Sequence, residues 1–116
     1  MPVDNKVVDT VYAALSSRHF VVVFLNLNAT QITWFQSLLQ CTASLEDSAV
    51  QLITGEPSAS TEGHVVVVVG YDADTDRFIL RNSYGFSWGA AGRFTIAAKD
   101  MTATLINSAA IVNDVV

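Results

Sequence analysis

Gly63-His64-Val65-Val66-Val67-Val68-Val69-Gly70-Tyr71-Asp72 and, after nine intervening residues, Asn82-Ser83-Tyr84-Gly85-Phe86-Ser87-Trp88-Gly89 decide the reading of this chain. The first stretch carries an unbroken β-branched apolar run, the composition of a strand. Between the two, Asp72-Ala73-Asp74-Thr75-Asp76 is a polar turn and residues 78–81 return as a second strand. Antiparallel neighbours bring the start of one strand beside the end of the next. His64, at the mouth of the first strand, and Asn82, at the end of the second, are therefore expected at one edge of a sheet, within hydrogen-bonding reach.

Working outward, residues 5–17 read as an amphipathic helix, with Val8, Val11, Tyr12 and Leu15 at helical spacing and Asp4 as N-cap. Residues 20–27 are β-branched and aromatic and read as a buried strand. A short helix is predicted over 33–39, and another over 44–53, where Ser44 and Asp47 stand at capping-box spacing. Residues 55–63 are a loop by composition. Downstream, a Gly-rich passage over 82–92 leads into a strand at 94–97, and 106–112 adds one more. The fold class is α+β: one N-terminal helix plus an antiparallel sheet or partial β-barrel, with residues 1–116 as a single domain.

Composition narrows the function. Apolar residues make up 51% and charged residues 15%, against about 25% charged in ordinary domains. Such a chain is expected to leave an apolar face beside His64 for a partner to cover. The net charge is −5 and the six basic residues are scattered, which argues against nucleic acid. The apolar stretches at 20–25 and 65–69 fall far short of the roughly 18 to 20 residues of a membrane span. Met1-Pro2-Val3-Asp4 does not read as a signal peptide, and no compartment is assigned. The single cysteine, Cys41, excludes an internal disulfide and a Cys-based zinc site. Asp72, Asp74 and Asp76 alternate as in a calcium loop, but Arg77 takes the sixth position and no terminal Glu follows, so a solvated hairpin turn is expected. No metal or other cofactor is expected. Asn28-Ala29-Thr30 is a glycosylation sequon, relevant in a secretory compartment, and His19 reads as structural.

An imidazole is the side chain best placed to move protons at neutral pH. It needs a partner on its second ring nitrogen to fix tautomer and orientation. An Asn amide oxygen does this without adding negative charge, which suits a thiol nucleophile whose thiolate already pairs with the imidazolium. Taken by themselves, the two residues also fit a capping or core histidine and a turn asparagine.

Gly63-His64, the valine run and Gly70-Tyr71 resemble the motif around the catalytic His of papain-like cysteine peptidases. Asn82-Ser83-Tyr84-Gly85, Trp88-Gly89, Gly92 and Ile96 resemble the same family's motif around its catalytic Asn. The resemblance spans about residues 6–99, with a motif-specific core at 63–96. It implies the His- and Asn-bearing C-terminal half of such a peptidase. His64 would be the general base and imidazolium partner, Asn82 its orienting group, and Trp88 part of the apolar wall. Tyr84 also belongs to that wall, where the family usually has Trp shielding the His–Asn bond.

The family's nucleophile lies far upstream, in a Cys-Gly-Ser-Cys-Trp-like motif opening a long helix, and nothing before Phe20 resembles it. Cys41 is the weaker candidate: its flanks, Leu38-Leu39-Gln40 and Thr42-Ala43-Ser44, match no nucleophile motif. The resemblance implies that a second chain, or another segment of a precursor, supplies the catalytic Cys, and that the substrate is a peptide. A competing reading is a non-catalytic papain-fold domain used for binding or assembly. A third is a bacteriocin-leader peptidase, a group that usually has Asp where this chain has Asn82.

Overall fold

The computed structural model describes residues 5–39, 43–53, 61–82, 87–102 and 105–112. Helix α1 (Asn5–Ser16) precedes strand β1 (Phe20–Asn28), helix α2 (Ala29–Ser37) and strands β2 (Thr61–Asp72), β3 (Arg77–Arg81), β4 (Arg93–Ala97) and β5 (Ile106–Val112). The strands form one open antiparallel sheet in the order β4-β3-β2-β1-β5. Among the described residues no helix is long and apolar enough to cross a membrane.

Side chains alternate across a strand, so each strand has one covered and one open face. Val21, Val23 and Leu25 of β1 lie opposite Val68, Val66 and His64 of β2, on the covered face. Leu80 and Phe94 extend that face across β3 and β4. A bulge between Val68 and Gly70 shifts the register, so that Tyr71 lies opposite the buried Phe78. Helix α1 buries Val11 and Ala14 and sets Tyr12 edge-on against Tyr71, ring centroids 5.4 Å apart.

The other face is open. Phe24 and Val65 are register partners there, 40% and 46% exposed, and Phe20 and Val112 pair beside them at 55% and 42%. The two valine-rich runs are thus half-buried strands, not strands buried on both faces, because the helices cover one side of the sheet. The apolar surface exposed here lies on the face away from the imidazole: Val65 directly follows His64 in β2 and points the opposite way.

One local expectation changes. The predicted helix over 44–53 shrinks to one 3₁₀ turn, Ser48–Val50, capped by Asp47, whose Oδ1 accepts from the Ala49 N–H at 2.9 Å. The chain then straightens: Gln51 bridges Thr95, and the Leu52 N–H donates to the Thr95 carbonyl at 2.9 Å. Pairing along the β4 edge wins over helix propensity. The Asp72–Asp76 segment is a hairpin turn, with the Asp74 N–H donating to Asp72 Oδ1 and the Tyr71 hydroxyl to Asp76 Oδ1. That hydrogen bond to Asp76 raises the Tyr71 phenol above its ordinary pKa.

Residues 87–93 fold into a tight turn, in which the Gly92 N–H donates to the Trp88 carbonyl at 2.7 Å and the Ala90 N–H to the Arg93 carbonyl at 3.0 Å. Gly89 sits at φ +59, and a Cβ there would stand 2.8 Å from the Arg93 carbonyl oxygen. Only glycine fits such a place without strain. Gly89→Ala is expected to cost about 2–3 kcal/mol, read as a lower urea midpoint at unchanged m-value.

Candidate active site

The site begins at the cap of α2. Asn28 ends β1 and turns its side chain onto the helix: Oδ1 accepts from the Gln31 N–H at 2.8 Å, while Gln31 Oε1 accepts from the Asn28 N–H at 3.0 Å. This reciprocal capping box satisfies two of the donors that a helix start leaves over. Gln31 also donates through Nε2 to the Ile53 carbonyl at 3.0 Å, tying α2 to the segment beyond the 3₁₀ turn. The sequon Asn28 is therefore a buried cap residue whose amide oxygen is engaged by the helix.

The cap sets the helix so that Gln31, Phe35 and Leu38 point inward, at i, i+4 and i+7. Besides its chain neighbour Trp34, Phe35 meets three rings there. Its ring stacks on Trp88 with centroids 5.4 Å apart and planes at 16°, and it lies edge-on to Phe94 at 5.1 Å. Its third neighbour is the imidazole of His64, with centroids 4.8 Å apart. Trp88 is fully buried and its Nε1–H donates to the Phe35 carbonyl at 2.6 Å. The Gly89 N–H donates to the Leu38 carbonyl at 3.1 Å, so the end of α2 and the Trp88 turn are joined through backbone as well.

Asn82 directly follows β3 and is 3% exposed. Its N–H donates to the Gly92 carbonyl at 2.8 Å, which fixes its backbone to the same turn. Its Oδ1 faces His64 Nε2 at 3.0 Å. A carbonyl oxygen can only accept, so Nε2 carries the hydrogen and Nδ1 is the basic nitrogen of the neutral ring. An imidazole held by a buried amide on one nitrogen and packed against Phe35 is an oriented proton acceptor.

The expected pair of His64 and Asn82 is thus together, and Trp88 stands in the aromatic wall behind them. Tyr84 and Cys41 lie outside the described residues. Among the described residues no three His, Cys, Asp or Glu side chains group as metal ligands do. The sequence reading did not single out Phe35, although its ring packs beside the imidazole. The cue was present: Asn28 and Gln31 have capping-box spacing, and a helix started at that cap turns Phe35 inward with Gln31.

The sequence profile of the papain family of cysteine proteases matches residues 30–113. The chain belongs to that family. The matched span includes His64, Asn82 and Trp88. Xylellain, a cysteine protease from Xylella fastidiosa, superposes with a TM-score of 0.66 at 21% identity, over 93% of this chain and 37% of that one. The bromelain protease from Ananas comosus, solved in complex with the E64 inhibitor, gives 0.50 at 22% identity, over 88% of this chain and 41% of that one. At such identities the likeness is one of fold. The chain spans about two fifths of the length of these solved structures. No curated protein matches it significantly.

Two outcomes follow from the geometry. In wild type the His64 Hε2 exchanges slowly enough with water to give a resolved imidazole N–H resonance, and Asn82→Ala removes it. Trp88→Phe keeps a stacking ring but loses the donor to the Phe35 carbonyl, and lowers stability by about 1–2 kcal/mol, measured by urea unfolding followed by circular dichroism.

Proposed function

We propose that this chain is the His- and Asn-bearing half of a cysteine peptidase whose thiol nucleophile lies outside it, on a second chain or another segment of a precursor. The observation that carries this reading is the 3.0 Å contact between His64 Nε2 and Asn82 Oδ1, made by the two residues whose flanking motifs resemble those around the family's catalytic His and Asn. The solved relatives' much greater length supports it, since these residues correspond to about two fifths of each.

In this mechanism His64 Nδ1 takes the proton of the incoming thiol, and the imidazolium holds the thiolate as an ion pair. The thiolate attacks the peptide carbonyl. As the C–N bond breaks, Nδ1–H gives its proton to the leaving amine, and a thioester remains on the cysteine. A water molecule then gives a proton to Nδ1 and attacks the thioester, releasing the acid and restoring the thiol. Asn82 keeps Nε2 as donor throughout, so that Nδ1 faces the chemistry in every step. The neutral amide leaves the negative charge of the pair on sulfur.

Intact-mass measurement of the chain after exposure to a peptidyl epoxide at mildly acidic pH tests where the nucleophile is. Such a reagent needs an activated thiolate beside a protonated imidazole, and no rapid labelling of the chain alone is expected. Rapid single labelling of Cys41, lost in His64→Ala, would replace this reading with a self-sufficient peptidase. In the protein completed by its nucleophile-bearing half, His64→Ala is expected to lower kcat/KM for a fluorogenic peptide by about 10²- to 10⁴-fold. Hydrolysis unchanged by that substitution would remove the reading.

A further inference from the structure

A cavity of about 100 Å³ opens beside the imidazole, between α2 and the first residues of β2. Leu27, Ile32 and Phe35 make its apolar walls, and Gln36, Glu62 and His64 supply its polar atoms. Glu62 and His64 are two residues apart on β2, so both side chains leave the same face, roughly 7 Å apart. Their register partners, Leu27 and Leu25, share that face. Glu62 is exposed, and among the described residues lining the cavity it is the one that carries a negative charge.

We propose that this cavity receives a lysine or arginine side chain of the peptide that crosses the site, and that Glu62 selects it. The inference rests on the peptidase reading. Lysine and arginine lay an apolar stem along hydrophobic surface and keep the charged head at the water edge. The cavity has that layout: three apolar walls inside and a carboxylate at the solvent side. A neutral aliphatic side chain fills the same walls but leaves Glu62 without a partner from the peptide. An acidic side chain brings like charges together.

An exposed ion pair is worth little, so the preference is modest. The expected advantage of a cationic over an isosteric neutral side chain is about two- to fivefold in affinity, and salt diminishes it. Titration of the 116-residue chain with N-acetyl-lysine methylamide and with N-acetyl-norleucine methylamide, followed through the amide resonances of Ile32, Gln36, Glu62 and His64, measures it without catalysis. The lysine compound is expected to bind more tightly in wild type. In Glu62→Gln the advantage should vanish while norleucine affinity holds, and raising the salt in wild type should have the same effect. Equal binding of the two compounds in wild type, a preference that survives Glu62→Gln, or no response from either compound would each overturn the proposal. Because no bond is cleaved in this experiment, its failure leaves the peptidase reading to the His64→Ala hydrolysis measurement, and the reverse also holds.

Discussion

The indole of Trp88 joins two segments 53 residues apart. Its N–H reaches the Phe35 carbonyl, and its face stacks on the ring of the same residue. Held by backbone and side chain together, Phe35 cannot turn away from His64 without giving up a buried hydrogen bond and a stack, each worth on the order of 1 kcal/mol. The dependence continues along the turn. The Trp88 carbonyl accepts from Gly92, and the Gly92 carbonyl accepts from Asn82. One tryptophan therefore sets two neighbours of the imidazole: Phe35, tilted beside it, directly, and the Asn82 amide at Nε2 through two backbone hydrogen bonds. Gly89 makes this possible, since the turn that aims Trp88 inward needs a positive φ and leaves no room for a Cβ.

The second constraint is the period of β2. Five consecutive valines give strong strand propensity but no preferred face, and a strand of that kind specifies its register weakly. The ends supply what the middle lacks. At one end the imidazole is held by Phe35 and Asn82, which puts His64, Val66 and Val68 on the covered face. At the other, the bulge before Gly70 lets Tyr71 meet Phe78 and Tyr12 on that same face. The aromatic contacts at the two ends fix a register that the valines alone leave undetermined.

Much of this was legible in the chain. The antiparallel pairing of β2 with β3 follows from two apolar runs around a polar turn, and it places His64 beside Asn82 with no structural input. Strand 106–112 has the predicted bounds, and α1 is shorter by one residue than its pattern suggests. The misses share a cause: each depends on what covers or pairs with a segment. Residues 44–53 have helical capping spacing, but the free edge of β4 draws Gln51 and Leu52 into pairing. The valine runs look buried on both sides because sequence alone does not say that the helices occupy one face. Phe35 was passed over because Asn28 was read for its sequon and not for the cap it forms, and the cap sets the phase of α2.

The alternation of β2 also separates two surfaces that lie one residue apart. His64 points to the covered face, into the aromatic cluster that orients it, while Val65 points to the open face opposite Phe24. A nucleophile-bearing half, as proposed, must reach the imidazole from its solvent edge and gains most of its binding energy by covering apolar area. The chain offers such area within one residue of the base, on a strand whose position the core already fixes. On that proposal, changes at Phe24 or Val65 would act on association while leaving the imidazole oriented. Changes at Phe35, Trp88 or Asn82 act on its orientation and leave the open face as it is. The pleat of a single strand keeps the oriented imidazole and the open apolar face apart.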